Sequence, residues 1–218
     1  MIRCKLFAFV VTSLIWGAPA ATAYEIVTHE RFGLLSGKQS QADSILKEHL
    51  GVNGGLDFGV DGLALSGWIG EGAKREDNVL RLLNHFHNPL AGGWSQAGLL
   101  GSFGQSSILW GQNTNQGFPG WSWIDVRQRY FDALTKPQPS DRDSGLAKTF
   151  EGLGRQMHLV QDAASPAHVR NDPHLFYNYE GLVDAVRRED GSVFEGWLSA
   201  SPDVPGAPDP GWSSLDAN

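Results

Sequence analysis

The 218-residue chain, 41% hydrophobic and 19% charged, has the make-up of one soluble folded domain, which excludes a disordered or collagen-like polymer. Its 17 Lys and Arg against 24 Asp and Glu, a net charge of −7, exclude a broad cationic surface of the kind that holds nucleic acid by counterion release. The single cysteine, Cys4, falls in a leader, so disulfides and thiolate-ligated metals are excluded and chemistry is left to histidine and carboxylate.

Residues 1–23 read as a secretory signal peptide: Arg3 and Lys5, an apolar run from Leu6 to Trp16, then Ala21-Thr22-Ala23. Cleavage there makes Tyr24 the first residue and places the protein outside the cytoplasm, secreted or periplasmic. It removes Arg3 and Lys5 and no acid, leaving 15 basic against 24 acidic residues and a net charge of −9. From residue 24 to about 190 the apolar residues recur at helical spacing, and no two β-branched runs flank a hairpin turn, so the fold class is all-α, a compact helical domain over 24–198 with long loops.

In chain order, the spacing predicts helices over Gln41 to Leu50, stopped by Gly51; Asn78 to Asn84, before Pro89; and Trp123 to Thr135, before Pro137. The clearest helix follows Ser140 as N-cap, with Asp141 and Asp143 in its first turn. Leu146, Phe150, Leu153, Met157 and Val160 form its apolar stripe, and Pro166 ends it. A last helix runs from Tyr179 to Arg188, stopped by Gly191. Between them, Ala91 to Trp121 reads as a long loop, of a length that usually covers or binds something. Residues 199–218, with Pro202, Pro205, Pro208 and Pro210, read as a disordered tail, and the chain as a truncated form of a larger helical domain.

Histidines and acids cluster. His158 and Asp162, four apart on the Ser140 helix, share a face and can close on one divalent ion, and the break at Pro166 lets His168 turn back toward them. Alone such a pair is more often an imidazole bonded to a carboxylate; the third ligand and the other clusters favour metal. Asp77 precedes His85 and His87, which point in different directions, so at most one of the two binds a given ion. A straight helix would hold Asp77 and His85 about 12 Å apart, so the segment bends or Glu76 or Asp61 is the ligand instead. His174 with Glu180 is a further pair. His29 lies six residues into the cleaved chain, beside a new α-amino group. His49, ending a helix, reads as a C-terminal helix charge.

Three stretches carry a resemblance: His158-x3-Asp162-x3-Pro166-x-His168, His85-Phe86-His87-Asn88-Pro89, and Tyr179-Glu180-Gly181-Leu182-Val183. With the cleaved terminus, they resemble the zinc-dependent phospholipase C family and the related single-strand-specific nucleases, trinuclear zinc phosphodiesterases. The resemblance implies one zinc held by Asp77, His85, His158 and Asp162, and a second by His168, His174 and Glu180. A third would be held by the Tyr24 backbone and His29, with Asp162 bridging to the first. Tyr24 stands where the family has Trp, the Asp77 to His85 spacing is shorter, and the His174 to Glu180 spacing longer.

The implied activity is a secreted zinc-dependent hydrolase of phosphodiesters, with Asp77 accepting the proton of the attacking water. A phospholipid is the first expectation; Trp94, Phe103, Trp110, Phe118, Trp121 and Trp123 are candidates for peripheral membrane contact, although core packing is the expected role of most of them. A single-strand-specific nuclease, with nucleic acid met only as substrate, and a metal-binding domain without turnover are the alternatives. No protein partner is implied.

Overall fold

The computed structural model describes residues 26–78, 80–90, 103–117, 119–172 and 179–199. The signal-peptide reading, Tyr24, Trp94, Phe118, His174 and the tail from residue 200 on lie outside them. The all-α expectation holds. Helices α1 (Ile26–Gln39), α2 (Leu65–Glu76), α3 (Ser107–Trp110), α4 (Trp123–Thr135), α5 (Pro139–Ala163), α6 (Tyr179–Glu189) and α7 (Gly191–Ser199) make the body. Among the described residues, strand is confined to the two-residue pair β1 (Gly59–Val60) and β2 (Leu63–Ala64), antiparallel. No described helix is long and apolar enough to cross a membrane.

The longest helix, α5, is the axis. Pro139 opens it at its first turn with Asp141 close behind, the chemistry that favours a helix start, so the start falls ahead of the expected Ser140 cap. Its first half buries Leu146, Ala147 and Phe150 against Leu65 and Ile69 of α2, Ala133 of α4, and Leu46, Leu56 and Val60. Its second half turns a polar stripe inward: Arg155, His158 and Asp162 are buried. Val160 is therefore a correction to the predicted stripe. At about 100° per residue it lies nearly opposite His158, and it is 71% exposed.

Helix α2 lies between α1 and α5. Its sequence, with Gly67, Gly70 and Gly72, carries too weak an apolar stripe to announce a helix, and small residues are what its position demands. A Cβ on Gly72 would strike the carbonyl oxygen of Glu151, and one on Gly154 the carbonyl oxygen of Ile69. The two backbones thus touch through a reciprocal pair of glycines, and this contact sets the depth of His158 against α2.

Several predicted elements change in detail. Gln41 to Leu50 divides into a turn at Ala42–Ser44 and a π-helical turn at Ile45–His49, before Gly51 at φ 68°. Asn78 to Asn84 is not a helix: the Asn78 side chain accepts the Leu80 N–H at 3.0 Å, a local turn that competes with helix, and only Leu82–Asn84 winds into a 3-10 turn. Asp61, the alternative ligand, is at the hairpin turn with Gly62, both at positive φ, and is exposed there. Gly191 starts α7 instead of closing α6, because the Asp190 carboxylate accepts the Val193 N–H at 3.1 Å as an N-cap. The stretch from Ala91 to Trp121 is not wholly loop, since it holds α3. Trp123 to Thr135 is as expected, fixed by the capping box of Ser122 and Asp125.

Gly154→Ala should destabilise the fold by roughly 1–3 kcal/mol, since a methyl there must push the two backbones apart. Gly67→Ala, in the same helix pair but with its nearest neighbour 3.6 Å from the added carbon, should be neutral or stabilising by up to about 1 kcal/mol. Thermal melts of the two variants check this; equal melting temperatures would contradict the close-approach account.

Candidate metal centre

Five segments bring their ligand-type side chains to the inward stripe of α5. His158 and Asp162 come from α5, His29 from α1, Asp77 from the residue after α2, His85 from the loop beyond it, and His168 from the 3-10 turn after α5. The turn made by Asn78 resolves the distance problem of a straight helix, so Asp77, His85 and His158 offer ligand atoms within 4.8 Å of one another. His29, His158 and Asp162 form a second such group, sharing His158 with the first. Asp162 is fully buried. Its carboxylate lies 3.0 Å from His85 Nδ1, 3.1 Å from His158 Nε2, 3.5 Å from His29 Nε2 and 3.8 Å from His168 Nδ1.

The outer nitrogens fix the inner ones. His158 Nδ1 donates to the Ala73 carbonyl at 2.7 Å and His168 Nδ1 to the His85 carbonyl at 2.9 Å, since a carbonyl can only accept. His29 Nδ1 meets the Gln161 amide oxygen at 2.7 Å. In each neutral ring Nε2 is then left with a lone pair, the arrangement by which proteins orient metal-binding imidazoles. His158 Nε2 is also 3.2 Å from His85 Nδ1, and His29 stacks on His158 with ring centroids 3.8 Å apart. Both oxygens of Asp162, Oδ2 of Asp77 and Nε2 of His85 are buried without an aligned hydrogen-bond partner among the described residues. Buried polar atoms of this kind converge where a cation completes them.

Electrostatics says the same. Burial alone would lower the His158 pKa, but the charges of Asp162, Asp77 and Glu76 outweigh it and raise it to about 9. A proton thus serves as the cation in metal-free protein. Burial and the charged His158 depress His29 to about 3, so that ring is neutral. Burial opposes ionisation of Asp162 too, yet the surrounding imidazoles hold its pKa well below the ordinary carboxylate range. Burial raises that of Asp77.

The remaining predicted residues fall as follows. His168 Nε2 and Glu180 Oε1 are 3.7 Å apart, with Ser165 Oγ donating to Glu180, so the structure brings that pair together next to the first group. Glu76, the alternative to Asp77, is turned away into a network of its own: Arg81 Nε at 2.8 Å, Arg155 Nη1 at 3.2 Å and Trp110 Nε1 at 3.2 Å. His87 diverges from His85, as expected, and meets Ser106 Oγ at 2.8 Å, while its backbone N–H donates to the His168 carbonyl at 3.0 Å. His49 is exposed at the end of its turn. Of the aromatics expected at an interface, Trp110 and Trp121 are buried, and Phe103 and Trp123 exposed. Sequence reasoning missed the orienting partners, Gln161 and the carbonyls of Ala73 and His85. Only Gln161 left a signal, its place one residue before Asp162.

The chain matches none of the protein-family models, curated proteins or solved structures with which it was compared. What stands on its own geometry is a group of histidine and aspartate side chains able to hold a metal ion.

Metal uptake at pH 7 must displace the proton from His158, so affinity should rise about tenfold per pH unit toward pH 9 and flatten above it. The same raised pKa stabilises the metal-free fold fully below pH 6.5, a contribution lost as pH rises through about 9. Competition titrations against a metal buffer check the first statement; an affinity flat from pH 7 to 9 would contradict it.

Proposed function

We propose that this chain is an exported, zinc-dependent hydrolase of phosphodiester bonds, of phospholipase C type. The observation that carries the reading is the buried Asp162 carboxylate ringed by imidazoles whose outer nitrogens are already committed to oxygen acceptors. A ligand set of imidazole nitrogen and carboxylate oxygen suits Zn2+. His158, Asp162, His85 and Asp77 would hold one ion, His29 and Asp162 with the Tyr24 terminus another, and His168, Glu180 and His174 a third. The residues present fit such ions, since Asp77, Asp162 and His85 carry buried polar atoms that no hydrogen bond completes. The likeness of the three motifs to the zinc phospholipase C family supports the same reading.

Bound divalent ions would supply charge neutralisation at the phosphate and acidify the attacking water. The protein's own part is to position and to accept a proton. Among the described ligand residues, His29, His85, His158, Asp162, His168 and Glu180 are buried and Asp77 is half-buried, so substrate and water meet the centre on its side. Asp77 accepts the proton of the attacking water as the new oxygen–phosphorus bond forms and the ester bond breaks, and the departing alkoxide takes a proton from solvent. Exported protein would begin at Tyr24, whose free amine completes the terminal ligand set.

Purified protein reconstituted with zinc should release diacylglycerol from phospholipid vesicles, and chelation should abolish the reaction. Asp77→Asn should lower kcat by roughly a hundredfold or more, even in preparations that retain zinc, while His49→Gln leaves it unchanged. Zinc-loaded protein that cleaves single-stranded DNA and no lipid would replace this reading with the nuclease one. Zinc-loaded protein inert to both would leave a metal-binding domain without turnover.

A further inference from the structure

Beside the centre is a cleft of about 530 Å3 whose walls include the guanidinium groups of Arg75, Arg81 and Arg155, with Glu151 as its one carboxylate. It adjoins the metal centre through two elements. Asn78, in its wall, follows Asp77 directly. Arg155 precedes His158 by three residues on α5, a spacing that puts Cβ atoms about 5–6 Å apart. The cleft wall is thus one residue from Asp77 along the chain and one helical turn from His158 on α5.

A structural network uses much of the arginine chemistry but not all of it. Arg81 binds Glu76 and Gln116 through Nε and Nη2, and Arg75 binds Glu71 and Glu151 through Nε and Nη1. Arg155 spends Nη1 on the Arg75 carbonyl and Glu76 and Nη2 on Glu151, and its Nε is buried with no partner. Arg75 Nη2 and Arg81 Nη1 are thus left with N–H groups that no described residue accepts, while Arg155 is held inside the network. Glu76 and Glu151 hold the three groups in place, and stacking adds to this: Arg81 lies over Trp110 at 4.9 Å and Arg155 over Trp121 at 4.6 Å. Preorganised guanidinium forks of this kind match phosphate oxygens.

The rim is of a different character. Leu80, in the cleft wall, is 85% exposed, and Leu90, five residues beyond His85, is 92% exposed. Phe103, exposed too, precedes Gly104, which packs on the Leu83 carbonyl of the His85 loop. Large apolar side chains held out to solvent, one of them in the cleft wall itself, suit a lipid surface better than a nucleic-acid strand.

Resting on the phospholipase reading, we infer that the cleft takes the second phosphate of a phospholipid head group while the scissile one meets the centre, so that the substrate is a lipid with two phosphates. A choline head group offers no second phosphate to the N–H groups left on Arg75 and Arg81 and is disfavoured.

The test is flotation of chelator-washed full chain with vesicles of phosphatidylcholine alone or of phosphatidylcholine mixed with cardiolipin, whose head group carries two phosphates. Binding is expected to the mixed vesicles only, although a net charge of −7 repels an anionic surface, and Arg75→Gln should weaken it roughly tenfold. Arg81→Gln should do the same if it folds, and Lys47→Gln, an exposed charge on another face, should not. Equal binding to both vesicles, no binding to either, or a response to Arg75→Gln seen only with oligothymidylate would overturn the inference. Because the assay contains no metal, it fails separately from the hydrolase reading: preferential hydrolysis of phosphatidylcholine overturns the cleft's role and keeps the enzyme, whereas cardiolipin binding without any lipid hydrolysis does the reverse.

Discussion

A carboxylate with no exposure to water, Asp162, faces four imidazoles, and the rest of the molecule follows from the need to neutralise it. An isolated buried charge is too costly to keep, so positive charge must be present among these groups. The folded chain supplies two ways to meet that need: a proton on His158, whose pKa is raised to about 9, or a metal ion among nitrogens and oxygens that already converge. The second completes more atoms at once, because a single proton leaves the oxygens of Asp162 and Asp77 unequally served.

The scaffold is built to hold that convergence. Helix α5 passes from an apolar stripe in its first half to a polar stripe in its second, and α2 is drawn against it by Gly72 and Gly154 until the Ala73 carbonyl can accept a hydrogen bond from His158 Nδ1. The other anchor is the buried Glu76, clasped by Arg81 and Arg155, which fixes the end of α2 and with it the position of Asp77. Helix α1 carries His29 to the centre and continues outward to α7, where Phe32 stacks on Phe194 at 5.6 Å. Thr28 donates to Asp184 of α6, so the helix bearing Glu180 is tied to the one bearing His29.

Much of this was legible in the sequence, and the gaps have physical causes. His158 and Asp162 declared themselves by their four-residue spacing, and Trp123 to Thr135 by its helical spacing before Pro137. Helix α2 was hidden because its three glycines, read locally, weaken a helix, while the reason for Gly70 and Gly72 is a neighbour distant in sequence, Glu30 and Glu151. The approach of Asp77 to His85 depended on one Asn78 side chain bonding its own backbone, a choice between turn and helix that spacing does not decide. Gly191 misled for a similar reason: a glycine after a helix usually ends it, and here Asp190 converts the position into the start of the next. The Ala73 and His85 carbonyls, which orient two imidazoles, have no side-chain signature at all.

The central claim, that the Asp162 cluster is a metal centre, is tested most directly by elemental analysis of the purified full chain beside its His158→Ala variant, with melting temperatures measured on both. The account predicts stoichiometric zinc in the parent, its loss in the variant, and a fall in melting temperature that added zinc reverses in the parent after chelation but not in the variant. Parent protein that binds no divalent metal, or a variant that keeps its full complement, would contradict it and leave His158 and Asp162 as a buried ion pair.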